Sequence, residues 1–323
     1  MLVSTDVSMS PIAKMTTIKF FLAIFTLLYL QVQGINDRPI IGIVTQEVSD
    51  KDFFQYGRTF IADSYVKFLE SAGCRVVPIR LNLTEDEYLH LFNSINGILL
   101  PGGDVSLLTS SFTQTAKIFY KLSIEAASSG VYFPIWGTCM GFQVLTALTS
   151  GKDLLKNTPS YNITLPLILR NDISSSRMFR EAPAELLHAV SKQNITANFH
   201  NYGLTVKDFY ANKELSTFYR VLSTNYDQNG VEFISTVETR DYPIYGVQWH
   251  PEVNRFQWRR DRAYPHSVNA VWISQYIANF LVNEARKNPN HFTNAAEEES
   301  ALIYNFPLTY TANISGYEQA YFF

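Results

Sequence analysis

The chain of 323 residues has only two cysteines, Cys74 and Cys139. Two cysteines cannot build a disulfide framework, so the fold must rest on its hydrophobic core. Positive charge is also sparse. Lys and Arg number 26 against 29 Asp and Glu, the net charge is -3, and no basic patch stands out. That removes nucleic acid from the expected partners. The six histidines are scattered. No cluster has metal-ligand spacing, so neither a metal nor another cofactor is expected. Gly102-Gly103 is not followed by Lys-Ser or Lys-Thr, which excludes a phosphate loop. There are no internal repeats and no low-complexity tract. Beyond one run near the N-terminus, no apolar stretch is long enough for a membrane helix.

That run, Phe20 to Leu30, follows Lys14 and Lys19 and precedes the small-residue stretch Val32-Gln33-Gly34. It is short for a bilayer span and has the pattern of a secretory signal peptide, so residues 1–34 are expected to be removed. The mature chain, 35–323, is then expected to be one soluble domain, secreted or lysosomal. Four sequons fit that route, at Asn82, Asn162, Asn194 and Asn313. A composition 46% hydrophobic supplies a substantial core. Cys74, at the entry to a strand, reads as core filler.

Pro39 to Val44 reads as a first, fully buried strand. Phe60 to Ala72 has apolar residues at helical spacing, with Gly73 as its stop. Val76 to Ile79 is a second strand, and Thr84 to Glu87 is a capping box opening a short helix. Asn96-Gly97 turns the chain into a third strand, Ile98 to Leu100, ending in Pro101-Gly102-Gly103-Asp104. A helix over Ala116–Ala127 leads to a strand over Val131–Trp136. Four strand–helix alternations predict an α/β fold, a three-layer αβα sandwich on a mostly parallel sheet. Sites in such sheets lie beyond the carboxyl ends of the strands. Residues 152–220 read as an elaboration around the site. Strands resume at Val231 to Val237 and Pro243 to Trp249, and a long amphipathic helix carries Ile273, Tyr276, Ile277, Phe280 and Leu281. The acidic cluster Glu297-Glu298-Glu299 reads as a solvated face.

Chemistry concentrates at Gly137-Thr138-Cys139-Met140-Gly141. Cys139 stands where a strand turns into a helix, with two glycines to let the backbone bend. A helix N-terminus would aim partial positive charge at the sulfur, and the N–H of Met140 would hold an oxyanion. A bare G-x-C-x-G also fits a buried structural cysteine, so this motif alone leaves both readings open. A cysteine nucleophile needs a histidine base with an orienting partner. His250 ends a strand, and Glu252 follows after the stiffening Pro251. The remaining histidines, His90, His188, His266 and His291, read as surface.

Taken together, Leu99-Leu100-Pro101-Gly102-Gly103, Gly137 to Gly141, and Gly246-Val247-Gln248-Trp249-His250-Pro251-Glu252 resemble the class I glutamine amidotransferase fold, which carries a Cys-His-Glu triad in this order. Further stretches, Arg38 to Glu47, Ser176 to Phe179, Ala197 to His200 and Ala301 to Tyr304, are similar to the γ-glutamyl hydrolases that act on folate poly-γ-glutamates. The resemblance runs from Arg38 to the C-terminus. It implies that Cys139 attacks the γ-amide carbonyl through a thioester acyl-enzyme, that His250 shuttles the proton and that Glu252 orients it. It implies an oxyanion hole from Met140 and from Gly102 or Gly103. It implies substrate contacts from His200, Gln143, Tyr202 and Arg177, with Gln143 facing the substrate pocket. Gln143 and Tyr202 depart from the family pattern, which usually has Glu and Trp there. The expected partner is a folate poly-γ-glutamate, and a homodimer is left open. Two competing readings are a glutaminase-type amidotransferase and a non-catalytic binding protein on the same scaffold. The first would need a synthase this chain lacks. The second would be expected to have lost Cys139 or His250.

Overall fold

Alternation of buried apolar residues on both sides of short strands organises this molecule. The computed structural model describes residues 35–323, so the expected signal peptide, residues 1–34, lies outside the described residues. In chain order the strands are β1 (Ile40–Val44), β2 (Gln46–Glu47), β3 (Thr59–Ala62), β4 (Arg75–Ile79), β5 (Ile98–Leu100), β6 (Ile135–Thr138) and β7 (Lys156–Leu165). They continue with β8 (Ile168–Leu169), β9 (Thr196–Gly203), β10 (Tyr219–Tyr226), β11 (Glu232–Thr239), β12 (Ile244–Val247), β13 (Leu308–Tyr310) and β14 (Gln319–Phe322).

Eight strands form the central sheet in the order β4-β1-β5-β6-β12-β11-β10-β8. The first five are parallel, and β11, β10 and β8 extend the sheet antiparallel. Every residue of β1 is buried. Ile41 and Ile43 pack into one core, while Ile40 and Val44 pack into another. Alternate residues of one strand therefore feed two cores, as a sheet covered on both faces requires. Tyr65 and Phe68 of the helix Asp63–Glu70 and Ile273, Ile277 and Leu281 of the helix Val268–Ala285 fill the first core. Helices Glu85–Ser94, Ser111–Ser128 and Met140–Ser150 fill the second, through Phe92, Phe119, Val144 and their neighbours. The expected three-layer α/β arrangement is the one observed.

Several local expectations change. The helix expected from Phe60 starts instead at Asp63, because Thr59–Ala62 is a strand. Its edges are taken by β2 and by the C-terminal β14. Pairing to a segment some 260 residues away overrides the local helical spacing, as tertiary context commonly does. The strand before the nucleophile starts at Ile135 and runs through Gly137 and Thr138. In the acidic cluster, Glu297 contacts His90 and Glu298 pairs with Arg75, so those carboxylates tie the tail helix Ala295–Ala301 down. The capping box forms as read, with Thr84 Oγ1 accepting from Glu87 N and Glu87 accepting from Thr84 N.

The two glycines flanking the nucleophile serve a different purpose from the one expected. Neither has positive φ; Cys139 itself does, at φ 52°. The glycines instead permit close packing. A Cβ on Gly141 would lie 2.0 Å from the Leu100 carbonyl oxygen, and one on Gly137 would lie 2.6 Å from Phe142 N. Gly141→Ala is therefore expected to destabilise the fold by about 3 kcal/mol or more, since backbone must move. Gly151→Ala, at φ 68° in open space, should cost only about 1–2 kcal/mol. Urea denaturation of both variants checks this, and equal losses would contradict the packing role.

Candidate active site

The central sheet brings the predicted nucleophile and base together. β6 and β12 are parallel neighbours, with Thr138 opposite Val247. Cys139 follows the first strand and His250 lies just past the second, both at carboxyl ends. The backbone bridges them directly, since Cys139 N donates to Val247 O at 2.8 Å. Positive φ at a non-glycine residue costs about 1–3 kcal/mol and persists only where surrounding structure enforces it. Here the strand bond on one side and the helix Met140–Ser150 on the other provide that enforcement. Met140 is the first residue of that helix, and its N–H has no intrahelical acceptor.

His250 Nδ1 is 2.7 Å from Glu252 Oε1, and Glu252 is 2% exposed. His250 N donates to Ala197 O at 2.9 Å. The ring of Phe199 stands edge-on to the imidazole, 5.7 Å between centroids. Gly102 occupies the crowded ground between base and nucleophile. A Cβ there would come within 2.7 Å of His250 Cε1 and 3.3 Å of Cys139 Cβ. The Gly102 N–H, however, donates to Tyr65 Oη at 2.8 Å. Of the expected oxyanion donors, Met140 and Gly103 line the cavity containing Cys139, His250 and Glu252. This cavity has a volume of about 330 Å³. A wider groove of about 670 Å³ beside Trp258 and Tyr310 contains none of the predicted site residues.

None of the four expected substrate residues, His200, Gln143, Tyr202 and Arg177, lines the cavity containing Cys139. Arg177 is not at the cavity. Its N–H donates to Glu238, its guanidinium donates to Thr239 O, and it sits over the Tyr245 ring. That cluster lies at the start of β12, the opposite end of the strand from His250. Gln143 does not face the cavity either. Its Nε2 donates to Tyr202 O at 2.8 Å and to Gln248 Oε1 at 3.1 Å. Gln248 Nε2 in turn lies 3.6 Å from Cys139 Sγ. Gln143 thus orients an amide that contacts the nucleophile from behind. Tyr202 contributes its carbonyl, which Gln143 and His200 Nδ1 both approach, while its side chain is 58% exposed. His200 is buried against Phe233.

Sequence reasoning passed over Gln46, Arg262 and Gln248. Gln248 stood in a quoted motif but had no spacing signal of its own. Gln46 opens the short strand β2 and Arg262 lies in a loop, and their meeting at the cavity depends on long-range pairing. Among the described residues, no group of three or more His, Cys, Asp or Glu is placed to hold a metal ion.

A family model described as Peptidase C26 matches residues 39–252, from the start of β1 through Glu252. The chain belongs to the peptidase C26 family. It is 51% identical over 286 residues to gamma-glutamyl hydrolase of Homo sapiens, covering 88% of this chain and 90% of that protein. It is also similar to gamma-glutamyl hydrolase B of Dictyostelium discoideum, 38% identical with 95% and 90% covered. A third relative is gamma-glutamyl hydrolase 1 of Arabidopsis thaliana, 35% identical with 90% and 84% covered. These matches take in more of the chain than the family model does.

Electrostatics separates the two site histidines of this C26 chain. Burial alone would depress His250, but the Glu252 carboxylate and then the Cys139 sulfur outweigh it and push it up to about 10. His250 therefore holds its proton across the neutral range. His200 goes the other way. Burial, and then the charge of His250, lower it to about 3 against the hydrogen bond with Tyr202 O. It stays neutral beside a charged neighbour. Cys74 is fully buried, and burial pushes its thiol far up, which keeps it inert.

A folded-state value below the ordinary 6.5 means that the unfolded chain binds the proton more readily. His200 therefore costs no stability above pH 6.5, and stability falls as the pH drops from there towards 3. His200→Gln should flatten that acid limb, read as the midpoint of urea unfolding at pH 7.5 and at pH 4.5. An acid limb as steep as the wild type's would contradict the buried neutral state.

Proposed function

We propose that this chain is a secreted or lysosomal cysteine hydrolase of γ-glutamyl bonds, acting on the poly-γ-glutamate tails of folates. The observation that carries this reading is the Cys139, His250 and Glu252 constellation at adjacent strand ends, in a chain about half identical to a gamma-glutamyl hydrolase. The cavity wall adds support. Among the described residues Arg262 is the one Lys or Arg that lines it, and Arg262 donates to Tyr161 Oη at 2.7 Å. A guanidinium on the cavity wall suits a substrate that carries a carboxylate on every unit.

The chemistry follows from the positions. Cys139 Sγ attacks the scissile γ-carbonyl, and the oxyanion forms against the N–H groups of Met140 and Gly103. His250 gives its proton to the departing amine as the C–N bond breaks, leaving a γ-glutamyl thioester on Cys139. Neutral His250 then takes a proton from water, the hydroxide attacks the thioester, and the sulfur leaves with free carboxylate as product. Glu252 holds the imidazole in the orientation both steps need. Gln248, fixed by Gln143, steadies the sulfur.

The secretory reading draws on the N-terminal run and the sequons. Asn82, Asn194 and Asn313 are exposed. Asn162 is engaged, with Nδ2 donating to Asp261 O and Oδ1 accepting from Ala263 N, so it suits a glycan least. No helix among the described residues is long and apolar enough to cross a membrane.

The test is digestion of a pteroyl-poly-γ-glutamate beside a matched α-linked peptide, with products read by mass spectrometry. Only the γ-linked chain should be cut, the reaction should survive chelators, and thiol alkylation should end it. Cys139→Ala should lower kcat/KM by roughly 10⁴-fold or more, while Cys74→Ser stays within a few-fold of wild type. Equal cleavage of both linkages would leave only a generic cysteine peptidase. Ammonia release from glutamine without action on γ-glutamyl chains would favour an amidotransferase.

A further inference from the structure

Gln46 is the least explained residue at the cavity. It opens β2, whose pairing with β3 places Gln46 opposite Phe60 and holds its backbone. Gln46 is 3% exposed, yet neither Nε2 nor Oε1 has a hydrogen-bond partner among the described residues. The amide lies against the oxyanion loop. A Cβ on Gly103 would fall 2.9 Å from Gln46 Nε2 and 2.9 Å from Met140 Cε. Gln46, Gly103, Met140 and Cys139 all line the same cavity.

Leaving a buried donor or acceptor unpaired costs about 1–3 kcal/mol each, and an apolar side chain of the same shape avoids that cost. A residue kept at such a cost, beside the nucleophile, fits a group reserved for substrate. The surrounding charges sharpen the point. Glu47, Asp50 and Asp104 also line this cavity and repel an anion, so a donor close to Cys139 is what would hold a carboxylate there.

The shape of the amide matches one linkage. A primary amide offers a donor and an acceptor side by side. In a γ-linked glutamate, the free carboxylate and the N–H share one carbon, two methylenes from the scissile carbonyl. In an α-linked glutamate, the N–H sits on the carbon next to the scissile carbonyl and the carboxylate is three carbons from that carbonyl. Only the γ-linked unit presents both groups to one amide at once.

We infer that Gln46 is a specificity-determining residue, its Nε2 donating to the α-carboxylate and its Oε1 accepting from the N–H on the same carbon of the acyl-side glutamate. This assignment rests on the γ-glutamyl reading above.

The experiment compares wild type, Gln46→Leu and Gln46→Glu on a γ-linked substrate and on its analogue with the acyl-side α-carboxylate amidated. In Gln46→Leu, the kcat/KM ratio of free acid to amidated substrate should fall roughly tenfold, the value of one charge-assisted hydrogen bond. Gln46→Glu should fall further, because it sets carboxylate against carboxylate. The melting temperature of Gln46→Leu should equal or exceed that of wild type. A ratio within twofold of wild type would overturn the assignment. So would a melting temperature that drops with activity, which would make Gln46 part of the scaffold. Wild-type protein inert on the γ-linked substrate would instead overturn the substrate reading, and this role with it.

Discussion

The parallel pairing of β6 with β12 is the constraint on which the site depends. One backbone bond, Cys139 N to Val247 O, fixes the strand ends against each other. The nucleophile and the base then emerge from neighbouring strands, with no flexible linker between them. Tight packing makes this pairing possible. Phe142 fills the space where Gly246 has no side chain, and Gly141 lets the nucleophile helix press on the Leu100 backbone. The strained φ of Cys139 is held by those contacts, so stability of the sheet and reactivity of the sulfur have a common source.

Around that centre the polar groups are arranged by sign. Burial lowers His250 but Glu252 outweighs it, and burial, then the charge of His250, keep His200 neutral. Behind the sulfur, the amides of Gln143 and Gln248 form a chain whose direction is set by the Tyr202 carbonyl. The front of the cavity is closed by parts distant in sequence. Tyr161 comes from β7, Phe199 from β9, Arg262 and Tyr264 from the loop after Glu252, and Tyr317 from the C-terminal tail. The tail reaches the site because β14 pairs with β3.

These two levels explain what could be read from the sequence. β1, β4, β5 and β12 were legible as short buried apolar runs, and the capping box at Thr84 announced its helix, because each depends on neighbouring residues. That Cys139, His250 and Glu252 meet was legible because a strand-to-helix turn and a histidine-glutamate pair carry local signals. Phe60–Ala62 was misread as the start of a helix because only pairing with β2 and β14 makes it part of a strand. Arg177 was assigned to the site on resemblance, yet its contacts hold it at the far end of β12. Gln46 stood in the quoted stretch Arg38 to Glu47 with no role of its own, since its burial and its amide without a partner among the described residues arise only when β2, the Gly103 loop and the helix after Cys139 meet. Gln143 has the spacing to reach a pocket from the helix of Cys139, but Gln248 and the Tyr202 carbonyl claim its amide first.

The central claim is that the acyl group passes through Cys139. Rapid acid quenching of wild-type protein during turnover of a γ-linked substrate, followed by peptide mapping under conditions that preserve thioesters, tests it most directly. The expected result is a γ-glutamyl adduct on the peptide containing Cys139, formed in an initial burst and lost on exposure to hydroxylamine. An adduct on Cys74 or on any other residue, or turnover with no covalent species at Cys139, would contradict it.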